Sequence, residues 1–163
     1  MIETHPFGIF SPKNCQFLFL GTFTVKVDDP SYDWFFTSKR NQFWTIMSEV
    51  YDMKLTSKKE KEALFTKLRM AITDIILQCE RSKNTNADNN LINLVFNTEV
   101  INKVIKENKI KTIFFSSRMA ENLFKRNFKN ISLEFPKINF LTLPSSSPRY
   151  AAMSKLEKIK QTL

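Results

Sequence analysis

Glycine is scarce: only Gly8 and Gly21 occur among 163 residues. Together with the apolar content described below, that excludes a low-complexity or disordered chain. Cysteine is equally rare. Cys15 and Cys79 are far apart in sequence and fit no disulfide framework. Two thiolates also cannot supply the four that an ordinary iron–sulfur cluster needs. His5 is the single histidine, which argues against a histidine-based catalytic triad and against a multi-histidine zinc site. No apolar run approaches the roughly 18 residues of a membrane span. The opening "MIETHPFGIF" has no basic region ahead of an apolar core, so it does not read as a secretory signal. A cytoplasmic protein without membrane, metal or cofactor is the expectation.

Apolar material is plentiful. Hydrophobic residues make up 42% of the chain and phenylalanine alone occurs 16 times, enough for one domain with a substantial core. The formal net charge is +9. From Arg118 to the end, nine Lys/Arg stand against three Asp/Glu, a net of +6. A basic C-terminal third points to a polyanionic partner, although solvated lysines alone would give the same count.

Short apolar runs alternate with helical patterns. Residues 16–21, "QFLFLG", have the length and aromatic content of a buried strand. "RNQFWTIMSEVYDM" carries Phe43, Ile46, Met47 and Val50 at helical spacing. "SKKEKEALFTKL" opens with Ser57 and Glu60, a capping-box pair that predicts a helix start. Residues 70–76, "MAITDII", read as a second strand, and the polar residues 84–90 as a loop. "TEVINKVIKENK" predicts a helix with Thr98 as N-cap. Residues 110–116 form a third strand candidate and "RMAENLFKRNF" a helix. Residues 138–143 form a fourth strand, followed by a last helix over residues 151–163. This alternation predicts an α/β fold: one three-layer domain over residues 1–163, with a central, mostly parallel four-stranded sheet flanked by helices.

Ligands of such sheets bind beyond the carboxyl ends of the strands. That rule selects the segments after Leu20, Thr73, Phe115 and Leu143. The last is "LPSSSPRYA", whose serines 145–147 lie between Pro144 and Pro148. Successive backbone N–H groups ahead of a helix make a phosphate site, and a plain strand-to-helix turn is the alternative. Asn41 can orient a water or cap a helix. Asp74 can accept from the N–H of a base, or donate to it if its pKa is raised; a helix cap or an ion-pair partner of a nearby lysine is the alternative. Asn97 is either a loop cap or a pocket residue, and His5 reads as structural.

The order of these segments carries a resemblance. The chain resembles the uracil-DNA glycosylase superfamily over most of its length, and within it the hypoxanthine (deoxyinosine) DNA glycosylase-like branch. "FLFLGTF" is similar to the family's first motif, a strand ending in Gly-Ser/Thr-Phe, with Thr24 where a proline often stands. "KRNQFW" resembles the branch's "PRNxFW" segment. "AITDIILQCERS" resembles its "(I/L)xDV(I/L)xxCxR" segment, "IFFSSRMAENLF" its third strand and helix, and "LPSSSPRYA" its second motif.

The resemblance implies a monofunctional DNA glycosylase of base excision repair. It would remove a deaminated base, uracil or hypoxanthine, after rotating it out of the duplex. It implies Asn41 and Asp74 as catalytic residues and Gly21, Thr22, Phe23 and Ser116 as the base pocket. Phe23 would stack on the base unless it simply packs in the core. Pro144, Ser145, Ser146 and Ser147 would clamp phosphates, and Arg149 would wedge into the stack. The expected partner is damaged duplex or single-stranded DNA bound by a monomer. The rival expectations are a non-catalytic DNA-binding module of the same fold and a hydrolase of free nucleosides or nucleotides.

Overall fold

The computed structural model describes residues 1–24, 33–36, 43–85 and 87–143. Along the chain run β1 (Glu3–Thr4), β2 (Phe17–Gly21), α1 (Phe43–Tyr51), α2 (Lys58–Lys67), β3 (Met70–Asp74), β4 (Ile76–Arg81), β5 (Leu91–Phe96), α3 (Thr98–Glu107), β6 (Thr112–Phe115), α4 (Arg118–Asn127), α5 (Lys129–Glu134) and β7 (Asn139–Thr142). The central sheet has the order β3-β2-β6-β7, and all of its pairings are parallel.

Strand period explains the layers. In β2, Phe17 and Phe19 point to one face and Leu18 and Leu20 to the other. The phenylalanine face packs against Trp44, Ile46, Met47 and Val50 of α1 and Leu64 and Phe65 of α2. The leucine face packs against Ile101, Val104 and Ile105 of α3, Phe124 of α4 and Ile131 of α5. Both faces of the sheet are therefore covered, which is why β2 and β3 read as continuous apolar runs and are buried throughout. The protein is a three-layer α/β structure, as the alternation of elements predicts.

A second sheet, β1-β4-β5, is antiparallel and was not foreseen. The strand expected over residues 70–76 stops at Asp74. There the backbone steps off the parallel sheet: the Ile75 N–H donates to the Gly21 carbonyl and the Ile76 N–H to that of Thr22. From Ile76 the chain pairs with β5, and the polar loop, with a short 3-10 turn at Asp88–Asn90, closes the hairpin. The helix α3 starts at Thr98, and the residue before it, Asn97, makes no capping bond with its side chain. The predicted helix over residues 151–163 lies outside the described residues.

The capping box of α2 forms as expected: Ser57 accepts from the Glu60 N–H, and Glu60 accepts from that of Ser57. The bonds from the Ser57 backbone and hydroxyl, joined by those of Thr56, pull the exposed Glu60 carboxyl down to about 2 from an ordinary 4.5. A depressed carboxylate stabilises the folded state fully above its unfolded value and loses that contribution as pH falls through its folded one. An NMR titration should therefore place Glu60 near 2, and Glu60→Gln should flatten the fall in stability between pH 4.5 and about 2 measured in denaturant melts.

Candidate functional site

The site begins with strand register. Gly21 and Asp74, the last residues of β2 and β3, are direct neighbours in the parallel ladder. On the other side of β2, the Ser116 N–H donates to the Leu20 carbonyl. The chain crosses one face of the sheet to reach β3, and the connection that leads to β6 covers the other, so the crevice opens above the end of β2. Four predicted pocket or catalytic residues, Gly21, Thr22, Asp74 and Ser116, thus share one edge of the sheet. Across it the Thr22 and Ser117 hydroxyls are 3.5 Å apart, while Ser117 also caps α4 by accepting from the Ala120 N–H. The Leu143 N–H donates to the Phe115 carbonyl, so the chain leaves β7 at this same edge. Asn41, Pro144, Ser145, Ser146, Ser147 and Arg149 lie outside the described residues.

Asp74 turns its carboxylate over Gly21. A β-carbon at Gly21 would collide with Asp74 Oδ1 and come within 3.1 Å of Phe36 Cζ. Gly21 does not have a positive φ. Room for the carboxylate, not backbone freedom, is what requires glycine here. Phe36, by contrast, is held at φ 58, a left-handed conformation that is strained for an aromatic residue. The two carboxylate oxygens have different surroundings. Oδ2 lies 2.5 Å from His5 Nε2, and the two side chains are only 4% and 2% exposed. Oδ1 is buried and has no hydrogen-bond partner among the described residues.

His5, read from the sequence as structural, therefore belongs to the site. The Phe7 N–H donates to its Nδ1 at 3.2 Å. Phe35 stacks on the imidazole at 5.5 Å between centroids, and Phe7 and Phe23 meet it edge-on at 5.7 and 5.6 Å. Asn97, left open between cap and pocket, donates its amide to Thr73 Oγ1 and to the Asp74 carbonyl. Thr73 in turn donates to the Gly8 carbonyl, tying the segment that carries His5 to β3.

Two further residues at this edge were missed. Arg81, nearly buried, donates to Glu3 and to the Thr24 carbonyl, each at 2.8 Å. Its guanidinium carbon sits 5.7 Å from the centre of the Phe23 ring. Phe23 is half buried and also packs on the cluster of Ile76, Cys79 and Leu91, so its ring has both a core and a site environment. Asp88 receives a hydrogen bond from Thr22. Burial pushes its carboxyl up, the Thr22 bond pulls it back, nearby Asp74 pushes it up again, and Arg81 draws it down. Asp88 sits in no motif, and Arg81 falls in the "AITDIILQCERS" segment without a role assigned to it there; the β4–β5 hairpin brings both here. Burial also raises the thiols of Cys15 and Cys79, which are unpaired. Among the described residues no three His, Cys, Asp or Glu side chains gather to hold a metal ion, and no helix is long and apolar enough to cross a membrane.

The arrangement is a buried acceptor oxygen over the bare backbone of Gly21, beside the Phe36 ring. It suits a flat ligand that presents an N–H. Gly21→Ala should destabilise the protein by about 1–3 kcal/mol in urea melts, because the added methyl must displace a buried carboxylate or the Phe36 ring. Comparison with protein-family models and with curated proteins found no match for this chain.

Proposed function

We propose that the protein is a monofunctional DNA glycosylase that hydrolyses the N-glycosidic bond of a deaminated base. The observation that carries this reading is the Asp74 carboxylate: Oδ1 is buried at the carboxyl end of the central strands, above Gly21, with no hydrogen-bond partner among the described residues. A buried carboxylate oxygen without a donor is costly, and a planar heterocycle with a ring N–H satisfies it.

In this reading the base rotates out of the stack and brings its N–H to Asp74 Oδ1, the oxygen that lies over Gly21. The bond between C1′ and the base nitrogen breaks through an oxocarbenium-like sugar. Asn41 holds the water whose oxygen bonds to C1′. One proton of that water remains on the new hydroxyl, and the other neutralises the departing base. The products are the free base and an abasic site. The negative charge of Asp74 favours the cationic sugar. Pro144, Ser145, Ser146 and Ser147 would grip the phosphates, and Arg149 would fill the gap in the stack. The net charge of +9 supports a nucleic-acid partner.

The test uses duplex and single-stranded oligonucleotides carrying uracil, hypoxanthine, xanthine or a G:T mismatch, followed by alkali. Strand breaks at uracil or hypoxanthine are expected, and no break on any substrate sinks the enzyme reading. Salt-sensitive binding without a break would favour the non-catalytic module, and cleavage of free nucleosides alone the small-molecule hydrolase. Asn41→Ala should lower turnover by about a hundredfold while leaving DNA binding nearly unchanged. Undiminished turnover would remove Asn41 from the reaction.

A further inference from the structure

The chain's one histidine touches the one carboxylate that, among the described residues, has a buried oxygen without a hydrogen-bond partner, and the contact is directional. His5 Nδ1 accepts the Phe7 backbone N–H at 3.2 Å. A ring nitrogen that accepts carries no hydrogen, so the imidazole hydrogen is on Nε2. Nε2 lies 2.5 Å from Asp74 Oδ2. The bond is therefore Nε2–H donating to a carboxylate, and Asp74 has no need of a proton of its own to be satisfied at Oδ2. The imidazole cannot turn to reverse these roles, because Phe7, Phe23 and Phe35 pack around it and the His5 N–H is bonded to the Leu77 carbonyl.

We propose that His5 is a positioning residue: through its Nε2–H it keeps the Asp74 carboxylate a pure acceptor, so that Oδ1 selects a base with a ring N–H over one with a ring-nitrogen lone pair. That distinction is the one deamination creates. Adenine N1 and cytosine N3 present lone pairs, whereas hypoxanthine N1 and uracil N3 present N–H. A lone pair facing a fixed carboxylate oxygen is repelled, and neither group has water to turn to in a buried site. One oxygen atom therefore rejects both parent bases and accepts both deaminated ones. A site that bonds a substrate N–H discriminates far more steeply than one that reads size alone.

The identity of the ligand rests on the glycosylase reading; the state of the imidazole does not. Two measurements separate them. Because His5 is the only histidine, nitrogen NMR of the labelled protein reports its ring without assignment by mutation. An Nε2–H tautomer with an unprotonated Nδ1 is expected, and an Nδ1–H tautomer, or hydrogens on both nitrogens, overturns the proposal. The second measurement is binding to single-stranded oligonucleotides bearing a non-cleavable 2′-fluoroarabino hypoxanthine or its 1-deaza analogue, in which C–H replaces N1–H. The natural base should bind about ten- to a hundredfold more tightly. His5→Gln, whose amide N–H reaches as far as Nε2, should keep that ratio, and His5→Phe should reduce it to about twofold or less. Equal binding of the two bases by the wild-type protein, or an undiminished ratio in a folded His5→Phe, overturns the proposal. If His5→Phe does not fold, loss of the ratio in His5→Gln overturns it. No binding to either oligonucleotide sinks the DNA reading and base selection with it, while the NMR pattern still decides the tautomer.

Discussion

The parallel register that sets Gly21 beside Asp74 is the constraint on which the site depends. A carboxylate at the end of a central strand would ordinarily swing out into water. Here it folds back over its neighbour, and it fits only because that neighbour has no side chain. His5 then closes the arrangement from the edge, at 2.5 Å. Removing the glycine displaces the acid, and removing the histidine leaves a buried charge without its donor, a far more costly state than an exposed one.

The N-terminal segment serves that constraint. Phe10 exchanges backbone hydrogen bonds with Ile72, covering the outer edge of β3. Thr73 holds the Gly8 carbonyl, and the His5 N–H reaches Leu77. Three anchors within six residues fix a segment that has almost no regular structure, and they deliver the imidazole to Asp74. The hairpin β4–β5 does the same from the other side. Its Arg81 pins the Thr24 carbonyl and lies against Phe23, so the two residues that follow the Gly21–Thr22 step are held by a strand from a different sheet.

The parallel sheet was legible because β2, β3 and most of β6 are buried on both faces and the strands are set off by helical patterns with their own start signals, as Ser57 and Glu60 show. The antiparallel sheet was not. In β5 the sequence "LINLVF" places Asn93 among apolar residues and leaves Ile92 and Val95 exposed, so no alternation marks an inner face. Nor is there a composition change at Ile75, where β3 gives way to β4. That break is made by two backbone bonds to Gly21 and Thr22, and backbone bonds leave no trace in residue type. Of the site, Gly21, Thr22, Asp74 and Ser116 could be found because they sit at strand ends that topology brings together. His5 could not. It is separated from Asp74 by 69 positions, and its opening segment follows no period.

The charges divide the labour in a way that bears on the proposed ligand. The chain carries +9 overall, yet the ionisable acids at the site are two carboxyls, the buried Asp74 and the half-buried Asp88. Arg81, the cation beside them, is committed to Glu3 and Thr24. A site for a free anion would reverse this, with spare cations inside. Positive charge spread over the molecule with acceptors at the floor instead matches a polyanion whose backbone stays outside while a neutral, N–H-bearing group enters. That is the usual separation in nucleic-acid recognition, where phosphate contacts supply affinity and contacts to base edges supply choice.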